Sequence, residues 1–518
     1  MRGRASGVLL HISSLPGAFG VGDFGPLART FADFLAASGF SVWQLLPLTP
    51  VSGIFGNSPY SSPSVFAGNV LFVSPELLKR DGLITDEDIR PFTKDPKQEA
   101  DYEFAARVRE SLLAAAWRNF CAESDKFAAM GEEFAKFLAD ESFWLNDYAL
   151  FSVLKKRLGD VCWNEWPDEY KYRSADALDS FALTQENAED ISFVSFCQFI
   201  FFRQWRELRE YCRGKGISIL GDMPMFVALD SPDVWAHREQ FDLDGDCRPK
   251  NVAGVPPDYF SKTGQRWGNP LYLWDEMERG GFAWWLGRMK SALAMYDIVR
   301  VDHFRGFCGC WAIPASEETA INGAWRPAPG RALFERFREE LAAQDGTLPL
   351  VAEDLGVITD DVRELMEAFG LPGMKVLQFA FGDGIADNPY ILHNIERNSV
   401  VYTGTHDNNT SRGWWRDDTC SKDRMRFRAY VGCDVEERDA PVQMTRLALA
   451  STARLAVIPV QDILALDASC RMNTPGLCCG NWKWRLTVEE FVKFAGHGSL
   501  ISQKLKGLND LFGRARGI

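Results

Sequence analysis

A chain of 518 residues with 46% apolar and 25% charged residues has an ordinary globular composition, far from the apolar-poor region that stays disordered. Its 57 Lys and Arg stand against 71 Asp and Glu, a net −14 that repels phosphate backbones and anionic membranes, and no basic patch offsets it. At roughly 150 residues per domain the length suggests three or four small domains or one decorated α/β barrel. The 17 Trp and 37 Phe suit a neutral polar ligand as well as a core.

The 12 cysteines are too sparse for a disulfide scaffold and lack zinc-type spacing. Their closest groupings, Cys308/Cys310 and Cys478/Cys479, read as small apolar packers. The run Val8 to Ile12 is too short for a signal sequence, and no apolar stretch reaches the roughly 18 residues of a membrane span. A reduced, cytoplasmic protein with no membrane or nucleic-acid partner is the expectation.

Eight short apolar runs bounded by turn residues follow one another along the chain. They are Val8 to Ile12, Ser41 to Leu46, Ile217 to Leu220, Ile298 to Val301, Leu348 to Ala352, Met374 to Phe379, Ser399 to Tyr402 and Leu455 to Val460. Continuous apolar runs of this length are what parallel strands buried on both faces require. Helix-period stretches such as Phe31 to Leu35 and Phe334 to Leu341 lie between them, so the alternation predicts a (β/α)8 barrel of the TIM type. About 170 residues separate the second run from the third, more than any crossover needs, so an insertion sits there. Its middle, with Phe104, Val108, Leu112 and Trp117 at near-helical spacing, predicts a helical subdomain. The expected division is a barrel of residues 1–75 and 190–518 and a mainly helical insertion, 76–189. A second insertion, about 231–274, rich in Pro, Gly, Asp and aromatics, reads as an ordered loop region over the barrel mouth.

In such a barrel the C-terminal ends of the strands converge on the active site. Four runs deliver acids there: Asp222 after the third, Asp302 after the fourth, Glu353 after the fifth and Asp407 after the seventh. One acid at a strand end is most simply a helix cap or turn former; four that converge argue for chemistry. Arg300 and Asp302, two apart on a strand, point the same way, and the guanidinium keeps the carboxylate ionised as a nucleophile requires. The same pair also reads as a structural ion pair at the rim. Glu353 is the candidate for a second carboxyl that keeps its proton, the division of labour of a retaining glycosidase with its carboxyls roughly 5–5.5 Å apart. Asp407 and Asp222 can hold ring hydroxyls, and two of the six histidines, His303 and His406, sit directly beside these acids.

These residues lie in blocks with a known likeness. Val299 to Gly306, Ala352 to Gly356 and Gly404 to Asn408 resemble the catalytic blocks of the 4-alpha-glucanotransferase family, the amylomaltases or disproportionating enzymes of glycoside hydrolase family 77 in the alpha-amylase-like clan. The resemblance continues in Asn57 to Ser62, Gly221 to Pro224, Ala253 to Phe260, Gln265 to Pro270, Arg471 to Gly476 and Gly480 to Trp482. It implies Asp302 as nucleophile, Glu353 as acid/base and Asp407 as transition-state stabiliser, with Arg300 and His406 orienting them. It further implies substrate contacts from His303, Asp222, Tyr60, Ser58, Asp258, Trp267, Asn473 and Pro475, and a loop of residues 253–267 arching over the acceptor side.

The activity implied is retaining transfer of α-1,4-glucan segments between maltooligosaccharides, starch or glycogen chains, with no cofactor and no metal. The sequence departs locally at Leu477, where the family more often carries a small hydroxyl residue. The segment Asp242 to Asp246 has the composition of a calcium loop but the wrong Gly and Glu positions, and is expected to be a β-turn. Three rivals share the same residues: an amylase-type hydrolase, a metal-dependent barrel enzyme using His303 and His406, and a catalytically silent glucan-binding protein.

Overall fold

The computed structural model describes residues 3–94, 98–257, 261–477 and 479–515. Asp258 and Cys478, named above, lie outside these ranges. Twelve strands follow in chain order: β1 Ala5–Leu9, β2 Val42–Gln44, β3 Ser218–Met223, β4 Asn251–Val255, β5 Gln265–Pro270, β6 Ile298–Val301, β7 Gly309–Pro314, β8 Ala324–Pro327, β9 Leu350–Ala352, β10 Gly373–Val376, β11 Ser399–Tyr402 and β12 Leu455–Pro459. Eight of them form one parallel sheet in the order β10-β11-β12-β1-β2-β3-β6-β9. Its ends meet where the Ala352 N–H donates to Pro372 O at 2.9 Å, so the sheet curls into a nearly closed barrel.

Each of the eight apolar runs contributes one of these strands. The reason is visible in β12, where Leu455 and Val457 face the barrel interior while Ala456 and Ile458 join the layer beneath the helices. Both faces are covered, so apolar residues dominate both parities, with small polar exceptions such as Ser6 and Ser399. At the top of β3 the chain requires glycine: a Cβ on Gly221 would lie 2.1 Å from the Tyr296 ring. The run Met374 to Phe379 is a strand only as far as Val376; Leu377–Phe379 is a 3-10 turn that carries Gln378 and Phe379 into the mouth.

Between β2 and β3 run the helices Tyr102–Ala122, Ala128–Asp140, Ser142–Arg157 and the 30-residue Gln185–Gly214. The first starts where Asp101 accepts the Phe104 N–H at 2.9 Å, a cap that satisfies one of the end donors. Phe104, Val108 and Leu112, four apart, are buried on one face. Trp117 packs on Phe196 of the long helix, with centroids 5.1 Å apart.

The segment 231–274 differs from expectation. In place of a loop region it holds the helix Pro232–Ala236 and strands β4 and β5, which join β7 and β8 in a separate antiparallel sheet of order β5-β4-β7-β8. Its central ladder pairs Ala253 with Ala312. The turn expected over Asp242 to Asp246 is present: Asp244 Oδ1 accepts the Asp246 and Arg248 N–H groups, and Asp242 pairs with Arg326 at 2.9 Å. Among the described residues the cysteines are all free, no group of three or more His, Cys, Asp or Glu is set to hold a metal, and no helix is long and apolar enough to cross a membrane.

Candidate active site

A cleft of about 1140 Å³ opens over the C-terminal ends of the barrel strands, the end at which barrels of this kind carry their chemistry. Ser58 and Tyr60 enter from the loop after β2, Asp302 and His303 directly after β6, Glu353 directly after β9, His406 and Asp407 from the turn after β11, and Asn473 and Pro475 from the segment after β12. Trp267 reaches in from β5. Arg300 completes the set from within β6.

Asp222 lies deeper than the other acids. It was expected among the acids that hold a ring hydroxyl, yet its side chain has no exposed surface and lies below the cleft floor. Arg300 Nη1 donates to both of its oxygens, at 2.7 Å each, and the Tyr60 hydroxyl donates to Oδ2 at 2.7 Å. The reason is strand parity: Asp222 follows the interior residue Leu220 by two and so points into the barrel, as Arg300 does two after Ile298.

Arg300 is the hub of the floor. Its Nη2 lies 2.9 Å from Asp302 Oδ1, while Nε donates to Met374 Sδ at 3.3 Å. Burial opposes the guanidinium charge, but Asp222 and Asp302 outweigh it and raise its pKa well above the ordinary value. Asp302 itself is 29% exposed, open to the cleft.

Glu353 sits differently. Its Oε2 accepts the His303 N–H at 2.9 Å and its Oε1 the Leu355 N–H at 2.8 Å. Burial and then the negative charge of Asp302 push its pKa up to about 7, against the pull of Arg300 and of the Leu355 N–H. Two carboxyls in one cleft are therefore held in opposite ways, one against a cation and one against backbone N–H groups of the cleft wall. His303 has φ 49°, a left-handed conformation that swings its N–H toward Glu353, and burial lowers its imidazole to about 4.

Asp407 is half-exposed in the cleft. Asn473 Nδ2 donates to its Oδ1 at 2.6 Å, and His406 Nε2 stands 3.3 Å from Oδ2. Its enclosure in the cleft pushes its pKa up, but the His406 charge and the bonds from His406 and Asn473 prevail and lower it. The His406 ring is stacked on Tyr60, with centroids 4.7 Å apart and planes at 20°, and meets Trp482 at 5.9 Å. Trp482 was not singled out from the sequence, although the run Gly480 to Trp482 marked its place. Gln378 also went unnoticed; it braces the mouth by donating to Asn409 O at 2.8 Å. Leu477, the local departure, is 59% exposed on the cleft wall.

Comparison with known proteins extends this geometry to the whole chain. The family model described as 4-alpha-glucanotransferase matches residues 10–490. The 4-alpha-glucanotransferase of Thermus thermophilus is 47% identical over 93% of this chain and 95% of that protein, and that of Aquifex aeolicus 44% identical over 95% and 98%. The solved amylomaltase from Streptococcus agalactiae in complex with acarbose superposes with a TM-score of 0.91 at 37% identity, covering 99% of both chains. Amylomaltase from Corynebacterium glutamicum, at 17% identity and a TM-score of 0.71, shares the fold. A likeness that spans barrel, insertions and cleft alike, between chains of nearly equal extent, is more than a common barrel: this enzyme belongs to the 4-alpha-glucanotransferase family.

Proposed function

We propose that the chain moves α-1,4-linked glucan segments by double displacement, with Asp302 as nucleophile, Glu353 as acid/base and Asp407 as the carboxylate that stabilises the transition state. The observation that carries this reading is the contrast between Asp302, held by Arg300, and Glu353, kept near neutrality by burial beside it. A carboxylate of Asp302 attacks the anomeric carbon of the donor sugar. The glycosidic bond breaks as Glu353 gives its proton to the leaving 4-oxygen. In the second half Glu353, now ionised, takes the proton of an acceptor 4-hydroxyl, whose oxygen displaces Asp302 and restores the original configuration. Asp407, half-exposed and ionised, faces the positive charge that develops on the ring.

Transfer in place of hydrolysis needs a sugar to reach the intermediate before water does. The small sheet, with Trp267 39% exposed at its edge, supports that preference by covering the cleft and offering a ring on which an acceptor sugar stacks. The ligands on this reading are maltooligosaccharides and α-1,4-glucans, bound by Tyr60, Ser58, Arg300, His303, His406, Trp267, Asn473 and Pro475. The chemistry then belongs to residues 1–75 and 190–518, with 76–189 as an appended helical unit. Incubation with maltotriose tests the proposal. Glucose together with a ladder of longer oligomers is the expected product; glucose and maltose without a ladder would mark a hydrolase and sink the transferase reading.

A further inference from the structure

The Tyr60 hydroxyl has one proton and two neighbours. It stands 2.7 Å from Asp222 Oδ2 and 3.2 Å from His406 Nδ1. Asp222 is the acceptor, because Arg300 donates to both of its oxygens; burial raises its pKa, and the charges of Arg300 and His406 and the bond from Tyr60 pull the other way. The phenol proton therefore goes to Asp222, and the phenol oxygen accepts from Nδ1. On the far side of the imidazole, Nε2 faces Asp407 Oδ2 at 3.3 Å. An ionised carboxylate only accepts, so Nε2 must also carry a hydrogen.

We propose that the Asp222–Tyr60 pair holds His406 as an imidazolium, placing a fixed positive charge against Asp407, and that Asp222 and Tyr60 are positioning residues acting through that ring. The inference rests on the role given to Asp407 above and adds a protonation state and a task for a buried aspartate that no sugar can touch. It also settles the charge of the floor. Three carboxylates, Asp222, Asp302 and Asp407, then face two cations, Arg300 and His406, with Glu353 protonated. One net negative charge remains to meet the one positive charge that develops on the sugar ring; a neutral His406 would leave two.

The groups around the imidazole agree with this direction. Burial lowers the His406 pKa, but the charge and bond of Asp407, with help from Asp222, outweigh both burial and Arg300 and raise it. His11, which also faces His406, adds no charge, since burial holds it down at about 3. Tyr60 keeps its proton, because burial and Asp222 raise it well above the ordinary phenol.

The test is nitrogen NMR on the full chain labelled at its six histidines, with the His406 signals assigned by their loss in His406→Gln. Titration from about pH 5 to pH 9 covers the range in which imidazoles change charge. Both nitrogens of His406 should carry protons at pH 7. Tyr60→Phe keeps the stacked ring and the Arg300 pair but removes the acceptor, and should lower the His406 midpoint by about one to two pH units, the worth of one hydrogen bond to a charged group. The alkaline limb of kcat that follows His406 should move down with it. A neutral His406 at pH 7 in the unaltered protein, or an unmoved midpoint in Tyr60→Phe, overturns the inference. These spectra need no turnover, so a charged His406 in a protein that builds no maltotriose ladder would count against the proposed function alone.

Discussion

Trp267 meets His303 edge to face, with ring centroids 4.8 Å apart and planes at 90°. Trp267 belongs to β5 of the small sheet, and His303 is the residue whose N–H holds Glu353. The contact therefore ties the cover of the cleft to the acid/base group. Trp267→Ala should increase the access of water to Glu353. Since burial is the first cause of the raised pKa, the alkaline limb of kcat/KM should shift to lower pH, and hydrolysis products should rise relative to transfer products. Trp267→Phe should keep both near the parent values. A pH–rate profile with product analysis checks this, and an unmoved limb in the alanine variant contradicts it.

Glu353→Gln should lower kcat/KM by about 10²–10⁴-fold, the usual worth of a positioned proton donor, while binding persists. The sign of the pH effect follows from the upward shift: the free enzyme is active with Glu353 protonated, so activity is full below about pH 7 and falls as pH rises through it. That limb of kcat/KM should vanish in the glutamine variant, leaving only the one that follows His406. Steady-state rates across the pH range, with calorimetry for binding, decide the matter.

Asp222→Ala should destabilise the fold by about 3 kcal/mol, because it leaves Arg300 buried with one of its two carboxylates gone. Asp407→Asn, on a half-exposed side chain, should change stability by less than about 1 kcal/mol while activity collapses. Denaturant unfolding of the two variants separates the acid of the core from the acid of the cleft.

His303 sits at φ 49°, a region that short polar side chains and glycine tolerate and β-branched ones do not. His303→Val should therefore lose about 1–2 kcal/mol to backbone strain and pull its N–H away from Glu353, whereas His303→Asn should keep the turn. Thermal melts of the pair, read beside their pH profiles, test whether the turn or the imidazole matters to Glu353.

The barrel was legible because burial on both faces leaves short, mainly apolar runs, and Ile298 to Val301 and Ser399 to Tyr402 match their strands to the residue, with Arg300 the charged exception in the first. Asp302 and Glu353 were legible because each follows its strand immediately. Asp222 was legible as an acid at a strand end but not as a buried one, since depth depends on Arg300 and Tyr60 arriving from elsewhere in the chain. The small sheet was not legible at all. Its strands are short, Gly254 and Pro270 interrupt the pattern, and the partner of Ala253 is Ala312, on the far side of β6 in sequence. No local signal announces a ladder of that kind.

That ladder has a consequence for how the molecule assembles and comes apart. β4 and β7 leave the barrel from neighbouring strands, so they cannot find their register until β3 and β6 already lie side by side. The cover thus depends on the barrel for its register, with β5 and β8 as its edges. A cover that opened before the barrel would leave the acids in place but without their shelter from water. Warming should then shift the products from transfer toward hydrolysis while the barrel is still intact, which product analysis beside a thermal melt checks.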